Sequence, residues 1–357
     1  MQGSKVRLRA ALMGTSLMVL LALPAAVFAN TSGPIAQTGG MTATLPLMGS
    51  SLKVDVKLDV VGNITTVDLD PIGTYEASKV GPHAVTFDST DGTTQVKIKA
   101  KGDKLSIRAK AGSLAAFIGS GTWSADVFGT GAPTNVAYTV GAAPDGTPTV
   151  KIDSVTPAAG VTFVTPAPET KTGDEGSRAT AKVIFSANGF MKTLKITVGV
   201  STEGTHPASL KIELSGKDRQ KFSGPLADLL GAHMWSGHLC DGTPVSFTYD
   251  VVDPGTAVFG SATAPATVKT HGHGFSVRFD GTKTRVMVLL VPQEGTTWTL
   301  KVMGKTDHCR GTAAVDPTVN TPVKPGAGGG GHNGNGGWAG DQNHRDGNRD
   351  IGGWGRR

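Results

Sequence analysis

The sequence predicts an all-β chain of antiparallel sheets, and three observations carry that prediction. Apolar and polar residues alternate with period two, most plainly in Leu52-Lys53-Val54-Asp55-Val56-Lys57-Leu58-Asp59-Val60. Asx-Gly pairs punctuate such stretches at Asp91-Gly92, Asp145-Gly146, Asn188-Gly189, Asp241-Gly242 and Asp280-Gly281. They supply the positive φ that tight hairpin turns require. Helix-forming composition is missing: Gly is 50 of 357 residues and charged residues are only 17%, which argues against a bundle, a coiled coil or a doubly wound α/β enzyme.

At the N-terminus, Lys5, Arg7 and Arg9 precede an apolar stretch over residues 10–23. Pro24 and the small-residue run Ala25-Ala26-Val27-Phe28-Ala29 follow. This pattern predicts a secretory signal peptide over residues 1–29. The apolar stretch is short and broken by Gly14, which argues against a membrane anchor. No later stretch is long and apolar enough to span a bilayer, so the mature chain is expected to be secreted, extracellular or associated with the cell envelope. The formal charge of +6 falls to +3 once Lys5, Arg7 and Arg9 are removed. That small excess, without a Lys/Arg run interleaved with aromatics, argues against a nucleic-acid partner.

Residues 30–155 are read as a first β-sandwich unit, with strands at 52–60, 67–69, 96–100 and 105–109. A second unit is expected over 178–315, with strands at 194–198, 210–214, 245–249, 275–279 and 298–302. Trp298 alternates with Leu300 and Val302 and is expected in the core. Residues 156–177, with Pro157, Pro166 and Pro168, read as a linker or a long crossing between sheets. Residues 316–357 lose the periodicity and become Gly-, Asn- and Arg-rich, so they are expected to be disordered.

The two units look related. Leu114-Ala115-Ala116-Phe117-Ile118-Gly119 and Leu226-Ala227-Asp228-Leu229-Leu230-Gly231 each precede a Trp-Ser pair, at Trp123-Ser124 and Trp235-Ser236. Each is followed by a strand ending in Tyr138 or Tyr249, so the offset is 112 residues at the Trp and 111 at the Tyr. A hairpin also recurs, from 83–98 to 181–196 and, more weakly, to 275–288. The pattern reads as an internal duplication of an Ig-like class of sandwich.

Motifs for known chemistries are absent: no nucleophile elbow, no His-Glu-x-x-His, no P-loop and no Rossmann glycine fingerprint occurs. Cys240 and Cys309 are expected to form one disulfide in an exported chain. His238 and His308 flank those cysteines, and His271 and His273 share a face if they lie on a strand; together they are a candidate Zn or Cu site. The opposing reading is a set of solvated histidines in Gly-broken loops. Asp68 and Asp70 would share a strand face, either as a carboxylate pair for glycoside hydrolysis or as ordinary wet surface. Trp123 and Trp235 are candidate stacking platforms for a flat ligand, against a reading as core aromatics at equivalent positions.

The function expected from this inventory is that of an exported, non-enzymatic binding or structural protein, without a cofactor. Its partner would be a cell-envelope polymer or another surface protein. A secreted hydrolase and a metal-binding module are the alternatives.

Overall fold

A computed structural model of the chain describes residues 38–305 and 316–324, apart from 175, 203–204, 217–218, 240 and 283. Three-strand and four-strand antiparallel meanders alternate along it. The first three-strand meander is β1 (Gly40–Leu47), β2 (Ser50–Leu58) and β3 (Ile64–Asp70). The first four-strand meander is β4 (Tyr75–Lys79), β5 (Ala84–Ser89), β6 (Thr94–Lys101) and β7 (Lys104–Ala111). A 3-10 turn, Leu114–Phe117, leads into β8 (Gly119–Ala125), β9 (Thr134–Ala142) and β10 (Pro148–Thr156). After β11 (Thr162–Val164) comes the second four-strand meander: β12 (Glu169–Gly173), β13 (Gly176–Ala187), β14 (Phe190–Ser201) and β15 (Ala208–Gly216).

The third round begins with β16 (Arg219–Pro225) and one helical turn, Leu226–Leu229. Its three-strand meander is β17 (Gly231–His238), β18 (Pro244–Val252) and β19 (Thr256–Ala262). Its four-strand meander is β20 (Ala266–His271), β21 (Gly274–Phe279), β22 (Arg285–Pro292) and β23 (Thr297–Lys305). A short β24 (Thr318–Val319) ends the described chain near its last residues.

The first two rounds merge. β1 and β8, the leading strands of their meanders, pair antiparallel with Ala43 opposite Trp123. β7 and β15, the closing strands of theirs, pair with Ile107 opposite Ile212. The products are a 7-stranded sheet and a 9-stranded sheet. They face each other as a sandwich, and Trp123 of β8 stacks on Phe185 of β13 between them at 5.9 Å. The third round stays apart. β17–β19 form a 3-stranded sheet, and β16 closes β20–β23 into a 5-stranded one. Trp235 of β17 stands 6.0 Å from Phe279 of β21, in the same relation.

Local sequence explains these elements. In the β6–β7 hairpin, Val96, Ile98, Ala100, Leu105, Ile107 and Ala109 are fully buried. Lys97, Lys99 and Arg108 alternate with them and point outward, as the two-residue period of a strand demands. Asn188 (φ 49°) and Gly189 (φ 77°) both have positive φ, which makes the two-residue turn between β13 and β14.

Two expectations change. Residues 156–177 do not separate two sandwiches: β15 pairs with β7, so the sheet runs on across that segment, which crosses from one sheet to the other and adds β11 and β12. The break in sheet pairing falls instead between β15 and β16. Residues 316–324 are not part of a disordered tail. β24 pairs parallel with β3, and the Asn320 side chain both donates to the Leu69 carbonyl and accepts from the Leu69 N–H, each at 2.9 Å. Further on, Val323 bridges to Ala77 of β4. This strap covers the outer edges of β3 and β4, which would otherwise offer bare N–H and C=O groups for pairing. The signal peptide predicted over residues 1–29, the predicted Cys240–Cys309 disulfide, His308 and residues 325–357 lie outside the described residues.

Candidate functional site: a basic sheet face

Among the described residues, those singled out from sequence do not converge on one site. Trp123 and Trp235 are each 1% exposed, which rules out an open stacking platform and places both in the core. Trp298 is half-buried, packed at 5.8 Å against the ring of His273. The His273 ring turns to the Gly255 carbonyl at 2.9 Å, while His271 meets the Ser276 hydroxyl at 3.1 Å. The two rings therefore take separate protein partners. His238 keeps its Nδ1 buried, without a partner among the described residues. Among the described residues, no group of three or more His, Cys, Asp or Glu converges to hold a metal. Asp68 and Asp70 stand on the outer face of β3, opposite Asp55 and Lys53.

The outer face of the 9-stranded sheet has a different character. Its inward residues fill the sandwich core, so most of its charged residues point outward, the buried Lys192 excepted. Register puts Lys97, Arg108 and Lys211 side by side on β6, β7 and β15. Adjacent strands are about 4.8 Å apart, so this is a short row of like charges. In the neighbouring row, Lys195 of β14 stands opposite Lys182 of β13. Lys99, Lys110 and Arg178 extend the charge on both sides. Ser106, Ser209, Thr180 and Thr197 stand between the cations and add hydroxyls.

The chain matches no family model, no curated protein and no solved structure.

The electrostatics of the face follow from this crowding. Partial burial lowers the Lys97 ammonium below its ordinary pKa, and the cations of Lys99, Lys79, Lys110 and Arg108 lower it further. Four carboxylates moderate the field: Glu76, Asp88, Glu169 and Glu213. Three of them are engaged, Asp88 with Lys324 of the strap at 3.6 Å. Glu169 pairs with Lys182, and that hydrogen bond holds its carboxyl below the usual range, with Lys171 and Lys195 adding to the effect. Glu213 pairs with Lys211. Around Glu169 the face dips into an open depression lined by Lys171, Arg178, Thr180, Lys182 and Lys195. No aromatic side chain lies on the outward positions of these strands.

The opposite face of the sandwich is a useful contrast. There Lys53 stands across from Asp70, and Thr42 donates to Asp55 at 3.0 Å. Charge on that side is balanced, so the excess belongs to one face and not to the composition at large.

Sequence reading missed this face because it weighed net charge along the chain. The available signal was parity. From residue 95 to 110, Lys97, Lys99, Lys101, Lys104, Arg108 and Lys110 all occupy polar positions of one hairpin. What no strand pattern reveals is that β15, β14 and β13 lie beside that hairpin and bring their own cations to it.

Proposed function

We propose that this is an exported, non-enzymatic binding protein of the cell envelope or extracellular space, and that it holds an acidic polysaccharide against the outer face of β6, β7, β15, β14 and β13. The observation that carries the reading is the row Lys97, Arg108 and Lys211. Like charges directly opposite one another in a sheet destabilise it, so the row works against the fold and suits a partner that neutralises it. Interleaved Ser and Thr hydroxyls match the neutral hydroxyls of a sugar chain. The face is broad and carries no aromatic ring, which suits neither base stacking nor entry into a duplex groove. The duplication read from sequence belongs to this proposal: repeated meanders widen one sheet into a surface that a single meander cannot offer.

Binding to polygalacturonate tests it, with neutral dextran as the control. The full exported chain should bind the acidic polymer, and binding should weaken steeply with salt. Lys97→Gln, Arg108→Gln and Lys211→Gln combined should lower affinity by about tenfold or more, each tenfold being ~1.4 kcal/mol. Equal binding of dextran, or unchanged binding by the triple variant, overturns the reading. Tighter binding to phosphatidylglycerol vesicles or single-stranded DNA replaces the polysaccharide as the partner.

A further inference from the structure

In the first two rounds the leading strand of each three-strand meander is covered by the other, β1 by β8. In the third round the corresponding strand is β17. Among the described residues nothing pairs with its outer edge. We infer that β17 is a docking edge for β17 of a second copy of this chain, giving a twofold dimer whose two 3-stranded sheets continue into one another.

The intrachain junction shows what the missing neighbour would supply. Trp123 donates its indole N–H to Met41 Sδ on β1, at 3.3 Å. Tyr138 crosses Gly121 and donates its hydroxyl to the Thr44 carbonyl of β1, at 3.1 Å. The third round has the same register, since Gly121 faces Tyr138 and His233 faces Tyr249. Yet among the described residues the buried Trp235 Nε1 has no acceptor, and the buried His238 Nδ1 at the end of the same strand has no partner. Buried polar groups left without partners are rare and costly. Tyr249 stacks on His233 at 5.2 Å instead of reaching across to a neighbour.

The outward side of β17 also departs from its counterpart. Where β8 has Ser120 and Thr122, β17 has Ala232 and Met234, and Met234 is 44% exposed. Gly231–His238 contains no Lys, Arg, Asp, Glu or Pro, the residues that guard a free edge. Three other free edges differ. β16 has Arg219 and Lys221, β10 has Lys151 and Asp153, and β19 breaks register between its pairings to Phe247 and Tyr249. β17 is regular over its whole length.

A second copy is the occupant that this chain itself favours, because leading strand on leading strand is the pairing it already makes between β1 and β8. There, the small inward residue Ala43 faces Trp123. In β17 the small buried residue beside Trp235 is Gly237. Setting Gly237 of one copy opposite Trp235 of the other centres the twofold axis on Ser236. Across such a pair the two Ser236 Cα atoms would stand about 4.5–5.5 Å apart.

The test uses the full exported chain. Sedimentation should show a concentration-dependent dimer. Met234→Lys and Ala232→Lys change exposed positions and should leave the melting temperature of the monomer unchanged, while weakening the dimer about tenfold or more by putting charge on the strand edge that pairs. Ser236→Cys should give a 236–236 disulfide-linked peptide on mild oxidation, at a separation that a disulfide tolerates. Ser261→Cys, on β19, should not. A monomer at all concentrations overturns the inference. A dimer indifferent to both lysines does so too, as does one that the Ser261→Cys variant links and the Ser236→Cys variant does not. So does a monomer whose outward β17 amides are protected from hydrogen exchange, since its own chain then covers the edge.

Discussion

The Lys192 ammonium donates a hydrogen bond to the carbonyl oxygen of Val127, tying β14 to the loop that follows β8. Lys192 is only 1% exposed, and its ammonium sits 5.4 Å from the Phe128 ring centre. Burial pushes its pKa down to about 7, while the carboxylate of Asp126 opposes the shift. An unfolded lysine titrates near 10.4, so between those values the unfolded chain binds more protons than the folded one. Stability should therefore rise as pH increases from about 7 to 10, and level off above. Below about pH 7 both states are protonated and the burdened, lower plateau applies. Lys192→Met should flatten this rise in urea titrations at pH 7 and pH 10. A slope equal to that of the parent would show that another group causes it.

Gly121→Ala should break the same sandwich from its other side. A Cβ at residue 121 would fall 2.3 Å from the Tyr138 ring and 2.6 Å from the Thr44 carbonyl oxygen. The ring must leave, and its bond to β1 goes with it. A loss of about 2–4 kcal/mol is expected in chemical unfolding, the sum of overpacking and a lost buried hydrogen bond.

The two core tryptophans should separate under a gentle change. Truncation to Ala at either position should cost about 3–5 kcal/mol, through the cavity left behind. Trp→Phe should differ. Trp123→Phe removes the donor that Met41 accepts, whereas Trp235→Phe removes an N–H that has no acceptor. Thermal melts should show the smaller loss at 235.

Asn320→Ala deletes both side-chain bonds to Leu69. A loss of about 1–2 kcal/mol is expected, near 1 kcal/mol for a typical hydrogen bond. Exposing the edges of β3 and β4 should also raise aggregation on heating, which light scattering would report.

Arg108→Gln should separate binding from folding. Removing the middle cation of the row relieves repulsion with Lys97 and Lys211, so the melting temperature should hold or rise slightly while affinity for polygalacturonate falls. A matched loss of both would make Arg108 a structural residue.

Much of the fold was legible because alternation is local. Residues 52–60 carry their own burial pattern, and Asn188-Gly189 carries its own turn. The burial of Trp123 and Trp235 was legible too, because two copies in one register point to packing. Pairing between distant strands was not. Nothing in residues 104–111 says that β15, about a hundred residues on, will lie beside it, and so sequence alone left 156–177 open between a linker and the crossing between sheets that it is. The basic face was hidden for the same reason: its cations come from strands that only the sheet brings together. The strap was missed because polar residues near Pro317 resemble a tail until β3 supplies the partner.

Leu69 and Asn320 are 251 residues apart along the chain. Loops of that length close slowly, because their entropy is lost before any contact compensates for it. A ribosome releases β3 long before it makes Asn320. Until then the edges of β3 and β4 must wait uncovered, because the segment that seals them emerges 251 residues after Leu69. Truncated or stalled products would carry an open edge that the finished protein never displays.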